Sequence, residues 1–365
     1  MKNNFLALMM MIKDESTTIK KSLDSVKDIV DSVIIYDTGS TDDTLKIVYK
    51  WCTDNNITPF IKQGVFENFE KSRNILLEYA ETIEKPPEYL LLLDANDEFR
   101  QSGNLLTFIK ENDFTACKLQ QQWQSRSITK FWNIRLIKNG CNWRYKGRVH
   151  EYISSNLPNN IILDAPLDYV IYQNRLIGCE SSGERYKLDV VLLLQDYNED
   201  PTEPRTCFYL AQTYHCLGDA QNAYKYYKLR TSLGGFYEET FHSYVILAKI
   251  SVFLKHQWDD TFKWCMKAYE IIPRVEPLLM IVKYYVEKSN YHMAYLFINM
   301  AYHLEYPTKC GLFIDSDCYT YERYHLMGRI SFYVNEKKLG KEACIKAIKA
   351  KNKDIDKYNL KFYNM

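Results

Sequence analysis

Along the first hundred residues, short unbroken apolar runs alternate with segments whose apolar positions recur at helical spacing. Residues 5–12 form a continuous apolar run, the pattern of a strand buried on both faces. A helical face follows, carrying Ile19, Leu23, Val26 and Val30. Residues 33–36 make a second short strand, which ends in the turn and cap chemistry of Asp37-Thr38-Gly39-Ser40-Thr41. Asp42 and Asp43 suit the positive first turn of a helix with Leu45 and Val48 on its buried side. A third strand is read at 58–62, then a helix with Phe69, Arg73, Leu76, Leu77 and Ala80, then a strand at 89–93 that breaks at Asp94. This β-α-β rhythm predicts a mostly parallel sheet covered by helices.

From 116 to 172 the pattern changes to short strand-like pieces (116–122, 133–137, 161–163 and 169–172) joined by polar loops. These are read as the second half of the first domain, closing the mouth of the sheet. After Gly183 the chain turns helical and repetitive. Leu210, Ala211, Gly218, Asp219, Ala223, Tyr226 and Tyr227 fit a helix–turn–helix repeat of about 34 residues. Ala248 and Trp264 repeat the spacing of Leu210 and Tyr226, around a turn at His256-Gln257. A third copy runs from Leu278, with Ala294 and Ala301 repeating the spacing of Thr261 and Ala268. A looser fourth centres on Gly340 and Ala343, and Pro273 and Pro277 punctuate the helix ends. The expected boundary divides residues 1–180 from 181–365.

The 365 residues suit two domains, and the hydrophobic share of 46% is enough for a sizeable core. With 47 Lys and Arg against 46 Asp and Glu, no global charge argues for nucleic acid, so any anion site is local. The ten cysteines are scattered without a CxxC pair, and the seven His do not cluster with them, which speaks against zinc and for reduced packing cysteines in a cytoplasmic protein. The apolar run at the N-terminus is too short to span a bilayer, and no other stretch is long enough, so no membrane span is expected.

In open α/β sheets ligands collect at the carboxyl ends of the strands. Three polar segments fall there: Lys13-Asp14-Glu15, Asp37-Thr38-Gly39-Ser40 and Asp94-Ala95-Asn96-Asp97-Glu98. The last packs three carboxylates into five residues, an arrangement that repels itself unless a cation sits among them. Mg²⁺ or Mn²⁺ prefers such oxygen ligands and would bridge to a diphosphate. No P-loop and no GxGxxG is present, against P-loop ATP hydrolysis and dinucleotide redox chemistry, and the GxSxG and HExxH hydrolase signatures are absent too.

The ordered set LALMMMIKDES, VDSVIIYDTGSTDDT, FEKSRN, LLLDAND and GRVHE resembles family 2 glycosyltransferases of the GT-A fold. From ERYKLDVVLLLQDYNEDPTEPR onward the chain is similar to the tetratricopeptide-like repeats fused to such domains in bacteria and giant viruses. The resemblance implies an α/β GT-A domain (Rossmann-like, mostly parallel sheet) followed by an all-α helical repeat domain. It implies an inverting, metal-dependent enzyme that moves a hexosyl or N-acetylhexosaminyl group from a UDP-sugar to a protein or glycan acceptor, with Mn²⁺ or Mg²⁺ as cofactor. Carried over by position, Asp37 contacts the nucleotide base with Thr38 beside it, while Glu15 and the backbone around Ile12 border base and ribose. Arg73 helps bind the nucleotide-sugar. Asp94 and Asn96 occupy the two acidic positions of a DxD metal motif, and His150 and Glu151 match a His-Glu pair near the acceptor. His150 would complete the metal shell, and Glu151 would act as base with Glu98 as its rival. Basic residues at Arg144, Lys146 or Arg148 would face the leaving diphosphate.

This sequence departs from the family pattern where Asn96 replaces the usual Asp and Asp14 the common Asn. A second reading follows from Asn96: a weak or inactive transferase-like scaffold whose repeats bind a protein partner. A nucleotidyltransferase is a third, without the Gly-rich basic N-terminal loop it would need. A homodimer through the repeats is a further expectation.

Overall fold

The structure is a computed structural model that describes residues 4–124, 128–174 and 183–364. The chain forms two compact units, Met1–Ser182 and Gly183–Met365. The first runs β1 (Leu6–Ile12), α1 (Ile19–Asp24), β2 (Ser32–Asp37), α2 (Thr44–Asn55), β3 (Thr58–Gln63), α3 (Phe69–Thr82), β4 (Tyr89–Leu92), β5 (Asp97–Gln101), α4 (Leu105–Glu111), β6 (Ala116–Gln124), β7 (Ile128–Lys138), β8 (Trp143–Lys146), β9 (Tyr152–Ser155), β10 (Ile162–Asp164) and β11 (Tyr169–Asn174).

The apolar runs become strands because alternate residues feed two separate cores. On β1, Leu6, Leu8, Met10 and Ile12 enter one core, which α1, α2 and α4 cover with Leu23, Val48, Trp51 and Ile109. Ala7 and Met9 enter the other, beneath Leu76, Leu77 and Ala80 of α3 and Trp143 and Tyr145 of β8. β2 and β4 split the same way, Val33, Ile35 and Leu91 to the first core and Ile34, Leu90 and Leu92 to the second. Each such aliphatic side chain, fully buried, stabilises the fold by roughly 1.5–3 kcal/mol.

The main sheet has the order β3-β2-β1-β4-β7-β6-β11-β5, with β10 beside the start of β6. β3, β2, β1 and β4 are mutually parallel. β7 enters antiparallel between β4 and β6, β11 runs parallel to β6, and β5 closes the edge antiparallel to β11. The later strands therefore extend the sheet beyond β4, while the β8–β9 hairpin stands apart as a two-stranded ribbon. The turn of that ribbon, residues 147–151, reaches back to the carboxyl ends of the parallel strands, where Glu151 meets Arg73.

Two local expectations change. The helix read through Val30 stops at Asp24, because Ser25 Oγ donates to Ser22 O at 2.6 Å and the chain tightens into i→i−3 turns at Val26 and Ile29. Val26, Ile29 and Val30 stay buried in the first core all the same. The acidic segment is partly strand: β5 begins at Asp97, where alternation buries Asp97 and Phe99 and turns Glu98 and Arg100 outward.

The second unit runs α5 (Gly183–Glu199), α6 (Pro204–Cys216), α7 (Ala220–Arg230), α8 (Tyr237–Phe253), α9 (Trp258–Ile271), α10 (Val275–Glu287), α11 (Tyr291–His303), a π-helical turn at Cys318–Glu322, α12 (Arg323–Tyr333), α13 (Lys337–Lys351) and α14 (Asp354–Lys361). The pairs α6–α7, α8–α9, α10–α11 and α12–α13 are the repeats. Their turns share one device: a residue at positive φ (Gly218, Lys255, Ser289, Asn335), followed by a backbone amide that donates five residues back. Those bonds run from Asp219 to Tyr214, His256 to Ser251, Asn290 to Tyr285 and Glu336 to Ser331, the six-residue closure of a Schellman cap. Leu210, Ala211, Ala223, Tyr226, Tyr227, Ala248, Trp264, Ala268, Leu278, Ala294, Ala301 and Ala343 are all buried. Among the described residues, no helix is long and apolar enough to cross a membrane. The described cysteines are all unpaired, and Cys179 lies outside the described residues.

Candidate active site

The carboxyl ends of β1, β2 and β4 lie side by side, so the three polar segments that follow them share one floor. Its left half is laced by short polar contacts. Thr38 donates through N and Oγ1 to Ile12 O, at 3.0 and 3.1 Å, pinning the end of β2 to that of β1. Asp14, at φ +51°, accepts from Thr41 N at 2.7 Å, and its own amide donates to Ser40 Oγ at 3.0 Å. Asp and Asn tolerate this left-handed conformation better than other side chains. Glu15 N donates to Thr44 Oγ1 at 2.7 Å. Asp37 is fully buried, taking Ser40 N on Oδ1 and Gln63 Nε2 on Oδ2, both at 3.0 Å. Asp37 thus shapes the turn after β2, with both of its oxygens engaged.

The right half is a charge network. Asp94 follows Leu93 and continues the alternation onto the α3 side. Arg73, on the buried face of α3, bridges two acids, its Nη2 donating to Asp94 Oδ1 and its Nε to Glu151 Oε1, each at 2.8 Å. The Tyr145 ring lies 5.3 Å from the Arg73 guanidinium carbon. Arg135 of β7 stands 3.5 Å from Asp94 Oδ2 and 3.8 Å from Asp97 Oδ2. Asp97 Oδ2 also accepts from Asp94 N at 2.9 Å, and Gln173 Nε2 donates to Asn96 Oδ1 at 2.8 Å and to Asp97 Oδ1 at 3.1 Å.

The environment splits these acids. Burial pushes the Asp94 carboxyl up, but Arg73 and Arg135 outweigh it and hold the group well below the usual carboxylate range. Burial and then the charge of Asp94 push Asp97 up to about 6. Burial likewise raises Glu15; Thr18, which donates to its carboxylate, opposes this, and Asp94 and Asp42 add to it. Glu98 turns away from the network to Lys21 at 2.7 Å and Arg100 at 3.0 Å, which together hold its carboxyl low against a smaller effect of burial.

The Gly147–Glu151 turn reaches this floor because α3 holds it. Asn68 caps α3 by accepting from Lys71 N at 2.8 Å. The first turn of the helix then grips the loop: Glu70 Oε2 accepts from Gly147 N at 2.8 Å, and Phe69 N donates to Arg148 O at 3.3 Å. Gly147 sits at φ +97° and His150 at φ +52°, so the chain turns twice within four residues. Those turns bring Glu151 in to Arg73 and leave His150 exposed. Lys146 is exposed. Arg144 pairs with Glu81 of α3 at 3.0 Å, which places it on the helix and not at the strand ends.

A divalent cation fits the chemistry of this donor set. Asp94 keeps a third of its side chain exposed, Asn96 is exposed beside it, and both present oxygens. Four carboxylates (Glu15, Asp94, Asp97 and Glu151) share the floor with two guanidinium groups, and the negative charge of Asp94 raises two of those acids. Of the acids that contact these guanidinium groups, Asp94 keeps the most solvent access, while Asp97 is fully buried. Among the described residues, no group of three or more His, Cys, Asp or Glu side chains is already gathered as a metal cage.

The structure brings Asp94, Arg73 and Glu151 into direct contact and sets Asn96 against Gln173. It keeps Ile12, Glu15, Asp37 and Thr38 together in the left half and sends Glu98 outward. The sequence reading missed Arg135 and Gln173. Little marked them out: β7 also carries Lys130, Asn133 and Lys138, and Gln173 stands next to Asn174 at the end of β11.

Residues 8–177 match the family model described as Glycosyl transferase family 2. The chain is 24% identical over 227 residues to the SPbeta prophage-derived glycosyltransferase SunS of Bacillus subtilis (strain 168), covering 60% of this chain and 51% of that relative. The match to glycosyltransferase SunS of Bacillus phage SPbeta has the same figures. The chain thus spans about half the length of the curated relatives it matches. Among solved structures, S. aureus TarS 1-349 in complex with UDP aligns with 80% of this chain and 90% of its own, at 15% identity and a TM-score of 0.37. TTC0263, a thermophilic TPR protein of Thermus thermophilus, aligns with 50% of this chain and 92% of its own, at 15% identity and a TM-score of 0.32. At those scores the superpositions carry no argument. The sequence match and the fold agree: residues 8–177 are a family 2 glycosyltransferase domain, and the chain joins it to an array of paired-helix repeats.

Proposed function

We propose that this chain is an inverting glycosyltransferase that moves a sugar from a nucleotide-sugar, a UDP-sugar in our reading, to a hydroxyl of a protein or glycan. The observation that carries the reading is the Asp94–Arg73–Glu151 line of contacts at the strand ends of a family 2 domain, with Asp94 taken as the donor end and Glu151 as the acceptor end.

Asp37, Thr38, Glu15 and the Ile12 backbone would line the base and ribose pocket, with the base taking the Asp37 oxygen that Gln63 now occupies. Asp94 and Asn96, with His150 from the exposed turn, would hold Mn²⁺ or Mg²⁺. When bound, the ion supplies positive charge against the leaving diphosphate. Arg73 would fix the Asp94 and Glu151 carboxylates relative to each other. Glu151 would take the acceptor's proton while the acceptor oxygen bonds to the anomeric carbon and the bond from that carbon to the diphosphate oxygen breaks, one displacement that inverts configuration. Glu98 is the weaker candidate for base because it turns away from the Asp94–Arg73–Glu151 contacts, toward Lys21 and Arg100. The sugar transferred is a hexose or N-acetylhexosamine in this proposal. The helical repeats would select the acceptor or pair two copies, and the unpaired cysteines suit a cytoplasmic setting.

Calorimetric titration with UDP, GDP, CDP and ADP, each with Mn²⁺, tests the donor assignment. UDP should bind at least tenfold tighter than the others, and equal or absent binding of all four would refute it.

A further inference from the structure

Arg135 owes its place to an irregularity in the sheet. β7 pairs with β6 as Leu136 opposite Cys117 and Ile134 opposite Lys118, and the register shifts between them. Arg135 is therefore the extra residue of a β-bulge, the local device by which a strand re-aims a side chain. The pairing of β7 with β4 ends at Leu136 opposite Leu91, so Arg135 is also the first residue past that ladder, level with the strand end that leads to Asp94. Its Nη1 donates to Leu92 O at 3.4 Å, and the guanidinium reaches both Asp94 and Asp97.

Packing does not explain such a residue. The Arg135 side chain is 12% exposed, and its Nε is buried without a hydrogen-bond partner. A buried donor without a partner is unfavourable, and an aliphatic side chain would fill the same strand position without that loss. What the aliphatic residue would lack is the fork. Asp94 Oδ1 is taken by Arg73, from α3, and Oδ2 faces Arg135, from β7. Two planar groups from different elements, one on each oxygen, leave a carboxylate little freedom to rotate.

We propose that Arg135 is a positioning residue of the donor site: raised on the β7 bulge, it fixes the direction of the Asp94 carboxylate through the oxygen that Arg73 leaves free. The inference rests on the donor-site reading of Asp94. It makes the bulge a functional feature of the sheet, and it makes the orientation of Asp94 depend on two guanidinium groups together.

The test is a double-mutant cycle on the full chain, combining R135Q with D94N. It is read by calorimetric binding of UDP with Mn²⁺ and by thermal unfolding of the ligand-free protein. R135Q should weaken UDP–Mn²⁺ binding by about 10–100-fold, the usual scale for groups that orient a metal ligand. R135K, which keeps the charge without the planar fork, should recover part of that loss. In the D94N background R135Q should add less than about twofold, because its effect passes through Asp94. Wild-type binding by R135Q, or separate effects that simply multiply, overturns the proposal. If R135Q does not fold, R135K decides: a loss of about threefold or more supports the proposal and unchanged binding overturns it. If the wild type binds no nucleotide, the donor reading fails, and the unfolding midpoints still judge Arg135. Non-additive midpoints uphold its coupling to Asp94, and additive ones refute it.

Discussion

Arg73 Nε lies 2.8 Å from Glu151 Oε1, although 78 residues separate them in the chain. The same guanidinium holds Asp94, so one side chain couples the strand-end acid to the acid brought in by the β8–β9 turn. Replacing it by Gln would take this partner from Glu151 and leave Asp94 to Arg135 alone. Arg73→Gln should lower stability by about 3–5 kcal/mol, the range for removing one partner of a buried pair. Arg73→Lys should fold nearly as well and still lose most turnover, since a lysine cannot serve both acids with one planar fork. Denaturant unfolding and steady-state assays of both variants check this, and wild-type turnover by Arg73→Lys would refute the coupling.

The two candidate bases differ in their surroundings. Glu98 is tied to Lys21 and Arg100 outside the network, while Glu151 faces it. Glu151→Gln should lower transfer by roughly 10²–10⁴-fold, the usual scale of general-base catalysis, with donor affinity kept. Glu98→Gln should change transfer less than about threefold. The reverse outcome in the same assay would hand the base role to Glu98.

Asp94→Asn should abolish turnover and, by removing one partner of the Arg73 and Arg135 pairs, lower the unfolding midpoint while the domain still folds. Asn96→Asp should be tolerated and should tighten Mn²⁺ binding, adding a charge where an amide oxygen now stands. Metal titrations of the two variants read both effects. Full activity of Asp94→Asn at limiting Mn²⁺ would contradict the metal assignment.

Much of this was legible in the sequence, for a physical reason. A strand buried on both faces must be apolar at every position, so β1, β2 and β4 announce themselves as unbroken runs. The polar residues directly after them could only be strand ends. β5 was hidden because its first two residues are acids, read as part of the polar segment after β4; pairing with β11 makes them strand. Arg135 was hidden because a bulge is a property of two strands in register, and one sequence does not show its partner. The repeats looked weak for a related reason. Only the first turn uses Gly at its positive-φ position, where the later ones use Lys255, Ser289 and Asn335.

The helical unit carries a pH dependence of its own. His242 packs 4.2 Å from the Phe313 ring and 5.9 Å from Phe208. Burial, reinforced by Lys249, Arg274 and His215, holds its imidazole down to about 3. The unfolded chain would protonate it near the ordinary value of about 6.5, so between the two values the unfolded state binds the extra proton. Stability is therefore complete above about 6.5 and falls as the pH drops toward 3, by at most about 1.4 kcal/mol per unit. Thermal unfolding at pH 7 and pH 5 should show a smaller drop for His242→Phe than for the wild type. Equal drops would remove His242 from the account.

The central claim is donor chemistry at the Asp94 end of the network. The purified 365-residue chain, incubated with a panel of nucleotide-sugars and Mn²⁺, is assayed for released nucleoside diphosphate alongside the Asp94→Asn variant. The account predicts UDP release from at least one UDP-sugar by the wild type, lost on chelating the metal and lost in Asp94→Asn. No release from any donor, or equal release by the variant, would contradict it.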